Sequence, residues 1–352
     1  MEGPVLVVGA GLLGTSIGMA LSRANVEVVL QDVNAENVRT ASGLGAGRPV
    51  RPEDRPALVV VAVPPDHLAD EIAAALTSGA VVTDVGSVKQ APLDAVRDQV
   101  DAEALTRYVG SHPLAGSERS GPLAASANLF DGRPWAITPH EASSAEAVSA
   151  VTALAETCGA TVFTFTPDEH DRAVARTSHL PHLLAALVAG RLAGAPGEHL
   201  ALSGQGVRDV TRIAAGDPGL WQQIVTANRS ALGELLREVR DDLDRLMAAL
   251  EANARRDLAA LLEAGNVGTA AIPGKHGGPA RAETGLFVAV PDHPGELARL
   301  LADVGEIGVN IEDLRIDHDP GRPVGLVELT IAADSVDHLQ SALAERGWSL
   351  HG

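Results

Sequence analysis

The sequence predicts an α/β chain in three parts: a doubly wound parallel sheet, an all-α segment, and a small C-terminal α+β unit of ferredoxin-like order. Three patterns predict this. Short apolar runs alternate with helical stretches up to about residue 165, a leucine seam steps by four and three over residues 232–250, and the order after residue 284 is strand-helix-strand-strand-helix-strand. The expected boundaries are 1–166, 167–265, a Gly- and Pro-rich linker at 266–283, and 284–352.

The first element is the most informative. Val5-Leu6-Val7-Val8 runs into Gly9-Ala10-Gly11-Leu12-Leu13-Gly14 and then into a helical stretch, which is the setting a dinucleotide fingerprint requires. Gly9 allows the tight turn, Gly11 lets the backbone approach a pyrophosphate, and Gly14 lets helix pack on strand, while the helix start at Leu12 and Leu13 offers free N–H groups to phosphates. The next strand, Glu27 to Gln31, ends at Asp32, where a carboxylate accepts from ribose hydroxyls and repels a 2′-phosphate, so NAD is expected rather than NADP. Leu58-Val59-Val60-Val61-Ala62-Val63, Ala80-Val81-Val82-Thr83-Asp84 and Trp135-Ala136-Ile137-Thr138 read as further strands of a parallel sheet covered on both faces. Ligands of such sheets lie beyond the carboxyl ends of the strands, at Pro64-Pro65, Gly86-Ser87 and Ser111-His112-Pro113.

These positions hold the chemistry-bearing residues. His112, following the strand-like Tyr108-Val109-Gly110, is the candidate general base, since a neutral imidazole takes a hydroxyl proton near neutrality. Ser87 is placed to hold either that histidine or a substrate hydroxyl, or else to cap the helix starting near Lys89. Glu118 is an orienting carboxylate or an exposed loop acid. Ser178-His179-Leu180-Pro181-His182 puts two histidines on one helical face, for substrate contact or for packing, and no further ligands nearby support a metal site. Arg208 and Arg212 follow Gly204-Gln205-Gly206, where an arginine can clamp a carboxylate or pair with Asp209 or Asp217 on the surface.

Composition narrows the partners. With 352 residues and 45% apolar content the chain can bury two or three cores, and its net charge of −19 argues against nucleic acid or an anionic membrane as a partner. The lone Cys158 reads as a core side chain near a helix end. The first strand starts almost at Met1 and no apolar run reaches membrane-spanning length, so a cytoplasmic protein is expected.

From Leu220 to Leu262 the chain reads as one long helical stretch, with Leu232, Leu236, Val239, Leu243, Leu246 and Leu250 forming a seam that needs another helix to cover it. A dimerisation helix is expected in preference to an internal bundle. Gly265 to Pro279 is too rich in Gly and Pro for either periodicity and reads as a linker. Beyond it, strands are expected at 285–290, 309–316 and 325–332, helices at 294–307 and 336–345, and a last strand at Trp348-Ser349-Leu350.

The glycine fingerprint, Asp84-Val85-Gly86-Ser87-Val88-Lys89, the HPLAGSE string from His112 to Glu118, the SHLPH string from Ser178 to His182, the stretch from Gly206 to Trp221 and the IPGKHG string from Ile272 to Gly277 together resemble the prephenate dehydrogenase family. That resemblance implies oxidative decarboxylation of prephenate to 4-hydroxyphenylpyruvate in tyrosine biosynthesis, with NAD accepting the hydride. It also implies a helical dimerisation domain, a homodimer, and a C-terminal ACT module, whose first strand, turn and helix Phe287 to Leu297 resembles. By motif match, His112 is the catalytic histidine, Ser87 shares the substrate hydroxyl, Arg212 clamps a carboxylate, His179 and His182 are the histidine pair near the substrate, and Glu118 is the acid at the entrance. Gln205 and Val207 depart from the family pattern beside the glycines. An amino-acid effector, tyrosine first, is expected near Gly295 and Asn310. Arogenate dehydrogenase, or a relative acting on an amino-prephenate, is the nearest alternative. A hydroxyacid dehydrogenase or a nucleotide-sensing regulator is more distant.

Overall fold

Four of the five strands in the first sheet, all but the short Arg48–Pro49, are too apolar to leave a face in water. β1 (Val5–Val8), β2 (Val28–Gln31), β3 (Arg48–Pro49), β4 (Leu58–Val61) and β5 (Val81–Asp84) form a parallel sheet of order β3-β2-β1-β4-β5, with Val5 opposite both Val28 and Leu58. Alternate side chains go to opposite faces. Val5, Val7, Leu58 and Val60 pack with Ile17 and Leu21 of the helix Leu12–Arg23, while Val59 and Val61 pack with Leu68, Ile72 and Leu76 of the helix Leu68–Leu76. Each such side chain, fully buried, contributes about 1.5–3 kcal/mol of transfer free energy before entropy is charged. The computed structural model describes residues 3–115, 120–272, 282–318 and 324–351, and the chain divides into two units, 1–241 and 242–352.

Trp135–Thr138 does not continue the parallel sheet as expected. β7 (Pro134–Thr138) is the centre of a separate sheet, antiparallel to β6 (Gly110–Pro113) and parallel to β8 (Thr161–Thr164), and among the described residues a single bridge, from Val82 to Tyr108, joins the two sheets edge to edge. The connections decide the direction. A parallel pair needs a crossover of a dozen residues, normally a helix. The helix Ala145–Thr157 supplies one between β7 and β8, whereas the only helical element among the described residues between β6 and β7 is the turn Pro122–Ala124. His112 therefore lies within β6, opposite Ala136, rather than after a strand.

The expected long helix is broken twice, each time at an asparagine. Helices Pro218–Ala227 and Arg229–Glu251 meet at Asn228, whose side chain bonds to another element, and Arg229–Glu251 ends before Asn253, which sits in the left-handed region at φ 48°. Helix Arg255–Ala270 then runs five residues beyond the start of the expected linker: the Thr269 hydroxyl bonds the Gly265 carbonyl at 3.1 Å, and Gly265 and Gly268 cost helix propensity without stopping it.

In the second unit β9 (Glu283–Pro291), β10 (Asp313–His318), β11 (Val324–Ala332) and β12 (Ser349–His351) form an antiparallel sheet of order β10-β11-β9-β12. Helices Glu296–Ile307 and Val336–Glu345 cover one face, where Leu286, Val288, Val290, Val327 and Leu329 meet Leu300, Val304, Leu339 and Leu343. This is the ferredoxin-like order read from the sequence. The second strand begins at Asp313 rather than at residue 309, after Gly308 in the left-handed conformation closes the preceding helix.

Candidate active site

At the carboxyl end of β1, Gly9 has φ 98° and a Cβ there would lie 2.3 Å from the Ala62 carbonyl oxygen, while a Cβ on Gly14 would lie 1.9 Å from the Gly9 oxygen. Both positions demand glycine. Gly11 instead faces open space, the room a diphosphate needs. The helix Leu12–Arg23 has no side-chain cap, and its first bond runs from Thr15 N to Gly11 O at 3.0 Å, so the earlier N–H groups are left for a ligand. Asp32 is pinned beside this turn, accepting from Ala10 N and Asn34 N, each at 2.7 Å. Glycines, free N–H groups and carboxylate together fit a dinucleotide.

A chain of imidazoles stands at β6. Thr166 and Glu169 form a reciprocal capping box that starts helix Pro167–Val174 and buries its next two residues, His170 and Asp171. His112 Nδ1 lies 2.9 Å from His170 Nε2, with the rings edge to face, and His170 Nδ1 lies 2.9 Å from Asp171 Oδ1. The same carboxylate accepts from Lys89 N at 2.8 Å and Gln90 N at 2.9 Å, capping the helix Gln90–Arg97 from a distant part of the chain. Desolvation holds His112 well below the usual imidazole range, helped by the nearby His170, Lys89 and His179, and desolvation also lowers His170.

Lys89 ties this assembly to the sheet. Its buried ammonium bonds Asp84 and donates to the Ser111 carbonyl at 2.7 Å, and the Tyr108 hydroxyl donates to Asp84 Oδ1 at 2.8 Å. Burial pulls the lysine down against the pull of Asp84, and pushes the tyrosine up. Removing Lys89 or Asp84 would strand a buried charge, so the end of β5 and the start of β6 are locked together.

The histidine pair is shaped by Pro181. Lacking an N–H and crowding the Thr177 carbonyl, this proline is accommodated by a π turn over Ala175–His179 at the junction of helices Pro167–Val174 and Leu180–Leu192. His179 Nδ1 meets Asn228 Nδ2 at 3.1 Å, and the same amide donates to the Asp171 carbonyl at 2.8 Å. His182 stacks on Trp221 at 3.5 Å and 7°, and His179 meets that ring edge-on at 6.0 Å. Burial lowers His179 to about 4. His182 is lowered as well by burial.

His112 and the pair His179 and His182 thus belong to one hydrogen-bonded and stacked assembly with His170, Asp171, Asn228 and Trp221. Ser87 joins only through its chain neighbours. It is half-buried, has no hydrogen-bond partner among the described residues, and does not cap the helix, because Asp171 fills that role. Arg212 is exposed on helix Gln205–Ile213. The surface pairing open to it is not made among the described residues: Asp209 accepts from Gln205 and Asp217 caps Gly219 N. Glu118, Lys275 and His276 lie outside the described residues. The sequence reading overlooked His170, Asp171, Lys89, Asn228 and Trp221. A capping box followed at once by His-Asp was the available signal for two of them; nothing local marks the others.

Known proteins resemble this chain in sequence and fold. Residues 17–164 match the family description "Prephenate dehydrogenase, nucleotide-binding domain" and residues 166–264 match "Prephenate dehydrogenase, dimerization domain". The chain is 34% identical to the protein named probable prephenate dehydrogenase NovF of Streptomyces niveus, over 97% of this chain and 98% of that one. It is 27% identical to the prephenate dehydrogenase of Bacillus subtilis, over 95% and 93%. Among solved structures, prephenate dehydrogenase from A. aeolicus in complex with hydroxyphenyl propionate and NAD+ superposes with a TM-score of 0.69 at 27% identity, covering 76% of this chain and 98% of that one. Synechocystis arogenate dehydrogenase gives 0.65 at 26%, again over 76% and 98%.

Proposed function

This chain belongs to the prephenate dehydrogenase family of oxidoreductases, and from that premise we propose that it oxidatively decarboxylates prephenate to 4-hydroxyphenylpyruvate using NAD. The observation that carries the reading is the His112 imidazole, kept neutral by burial and backed by His170 and Asp171, in the same unit as the glycine cradle. Gly9, Gly11, Gly14 and the N–H groups at Leu12 and Leu13 would hold the diphosphate, and Asp32 the adenosine ribose. NAD, when bound, supplies the hydride acceptor. His112 takes the proton of the ring hydroxyl as the hydride leaves the same carbon. The bond to the ring carboxylate breaks, carbon dioxide departs, its electron pair makes the ring aromatic, and the phenolate oxygen so formed takes the proton back from His112. Ser87 shares the hydroxyl, and Arg212 with His179 and His182 binds the carboxylates of an anion that this acidic chain can hold only where donors converge. Presenting the full chain with NAD and either prephenate or arogenate, and following nicotinamide absorbance, tests this: rapid reduction with prephenate is expected. Reduction with arogenate alone moves the reading to the amino substrate, and no reduction with either refutes it.

The helix Arg229–Glu251 supports a homodimer. Its seam is buried at Leu232 but open at Leu243, 52% exposed, and at Leu250, 61% exposed, as a surface awaiting a second copy would be. Replacing Leu243 and Leu250 together by Glu is expected to give monomers on sedimentation. A monomeric parent at micromolar concentration would refute the dimer.

The C-terminal unit supports an ACT module that binds tyrosine. Gly295 and Asn310 flank opposite ends of the twelve-residue helix Glu296–Ile307, which is about 18 Å long, so one effector touching both requires two modules side by side. Titrating tyrosine into the full chain should give binding heat and a change in activity. Calorimetry silent to tyrosine, phenylalanine and tryptophan would remove the sensing role.

A further inference from the structure

We infer that Asp171 sets opposite protonation patterns on two site histidines, leaving His112 with a bare Nε2 and His179 with a protonated one. The consequence for catalysis rests on the dehydrogenase reading; the protonation pattern itself rests on the hydrogen bonds and on burial, which keeps His170 and His179 neutral.

The side-chain branch starts from acceptors. The Asp171 carboxylate already takes N–H groups from Lys89 and Gln90, and a carboxylate only accepts, so the proton between it and His170 sits on His170 Nδ1. A neutral imidazole carries one proton, which leaves His170 Nε2 as an acceptor. At 2.9 Å its partner, His112 Nδ1, must then be the donor, and the His112 proton is spent there. Nε2 of His112 keeps its lone pair, the form a general base needs. When that nitrogen takes up a proton, the Nδ1 bond becomes charge-assisted and the Asp171 carboxylate lies one imidazole away.

The backbone branch runs the other way. The Asp171 carbonyl can only accept, so the Asn228 group facing it at 2.8 Å is the amide NH2. The second hydrogen of that NH2 points to His179 Nδ1 at 3.1 Å, which must therefore accept. The neutral His179 ring then holds its proton on Nε2, as a donor suited to a carboxylate. One residue thus makes a base through its side chain and a donor through its main chain. His170, Asp171 and Asn228 are positioning residues in this scheme.

The test reads ring protons directly. In full-length protein carrying 15N-labelled histidine at neutral pH, assigned with His112→Asn and His179→Asn, His112 is expected to be protonated on Nδ1 and His179 on Nε2. His170→Leu should release the His112 pattern and lower kcat by about 10²–10⁴-fold with KM little changed, as loss of tautomer control does elsewhere. His170→Gln, whose Oε1 can accept from His112 Nδ1, should recover about tenfold or more of that loss, roughly 1.4 kcal/mol. Asn228→Leu should act mainly on KM. A parent spectrum with His112 protonated on Nε2, or His179 on Nδ1, overturns the inference, as does equal kcat in His170→Leu and His170→Gln. The spectra need no substrate, so an inactive parent would defeat the dehydrogenase reading without touching this one.

Discussion

Replacement of His112 by asparagine is expected to lower kcat by about 10²–10⁴-fold, the range positioned acid–base groups supply, while KM for prephenate stays close to that of the parent. The asparagine side chain still fits at β6 and can still meet His170, but it has no lone pair basic enough to take the hydroxyl proton. Replacement of Arg212 by alanine is expected to do the reverse. A guanidinium bonded to a carboxylate holds ground state and transition state alike, so KM should rise by the equivalent of about 1.5–3 kcal/mol and kcat should fall little. Steady-state kinetics of both variants check the division. A His112→Asn enzyme turning over near the parent rate would remove the base from the mechanism.

Mild acid is expected to destabilise the protein steeply. His112, His170 and His179 all have folded-state pKa values below the ordinary 6.5 because burial disfavours their charged forms. Above that pH both folded and unfolded chains hold them neutral, and they impose no penalty. Below it the unfolded chain takes up protons that the folded site refuses. Stability therefore falls with falling pH until the folded-state value is reached, about 4 for His179. Each group contributes up to about 1.4 kcal/mol per pH unit, so the three together approach ~4 kcal/mol per unit, against a total stability of about 5–15 kcal/mol for a typical domain. Urea midpoints measured near pH ~7 and ~5.5 should differ markedly. Equal midpoints would show that these imidazoles are solvated. The same depression places the acid limb of kcat/KM below pH 6.5, since His112 stays neutral there.

Local rules reached the parts of this molecule that local physics builds. Gly9, Gly11 and Gly14 were assigned three separate jobs from their spacing, and the positive φ at Gly9, the open space at Gly11 and the helix contact at Gly14 match them. The histidine pair was read onto one helical face, and both rings do meet Trp221. Failures came where a residue's partner lies far along the chain. Asn228 reads as an ordinary helical position until its amide is seen to reach 57 residues back to Asp171. For Ser87 the sequence left open a contact to the histidine or the substrate hydroxyl and a helix cap, and the cap drops out only because that same carboxylate, more than eighty residues away, is found in the place a cap would occupy.

By itself the sequence determined the doubly wound sheet, the glycine turn and the ferredoxin-like order of the last unit, and it pointed to His112 as the base we propose, because each follows from short-range periodicity or a contiguous motif. Only the tertiary structure decided that β6 and β7 run antiparallel, that Asn228 breaks the long helix, and that Asp171 stands behind both site histidines. Hydrogen bonds between segments dozens of residues apart leave no periodic trace along the chain, and it is those bonds that settle which ring nitrogen keeps a proton.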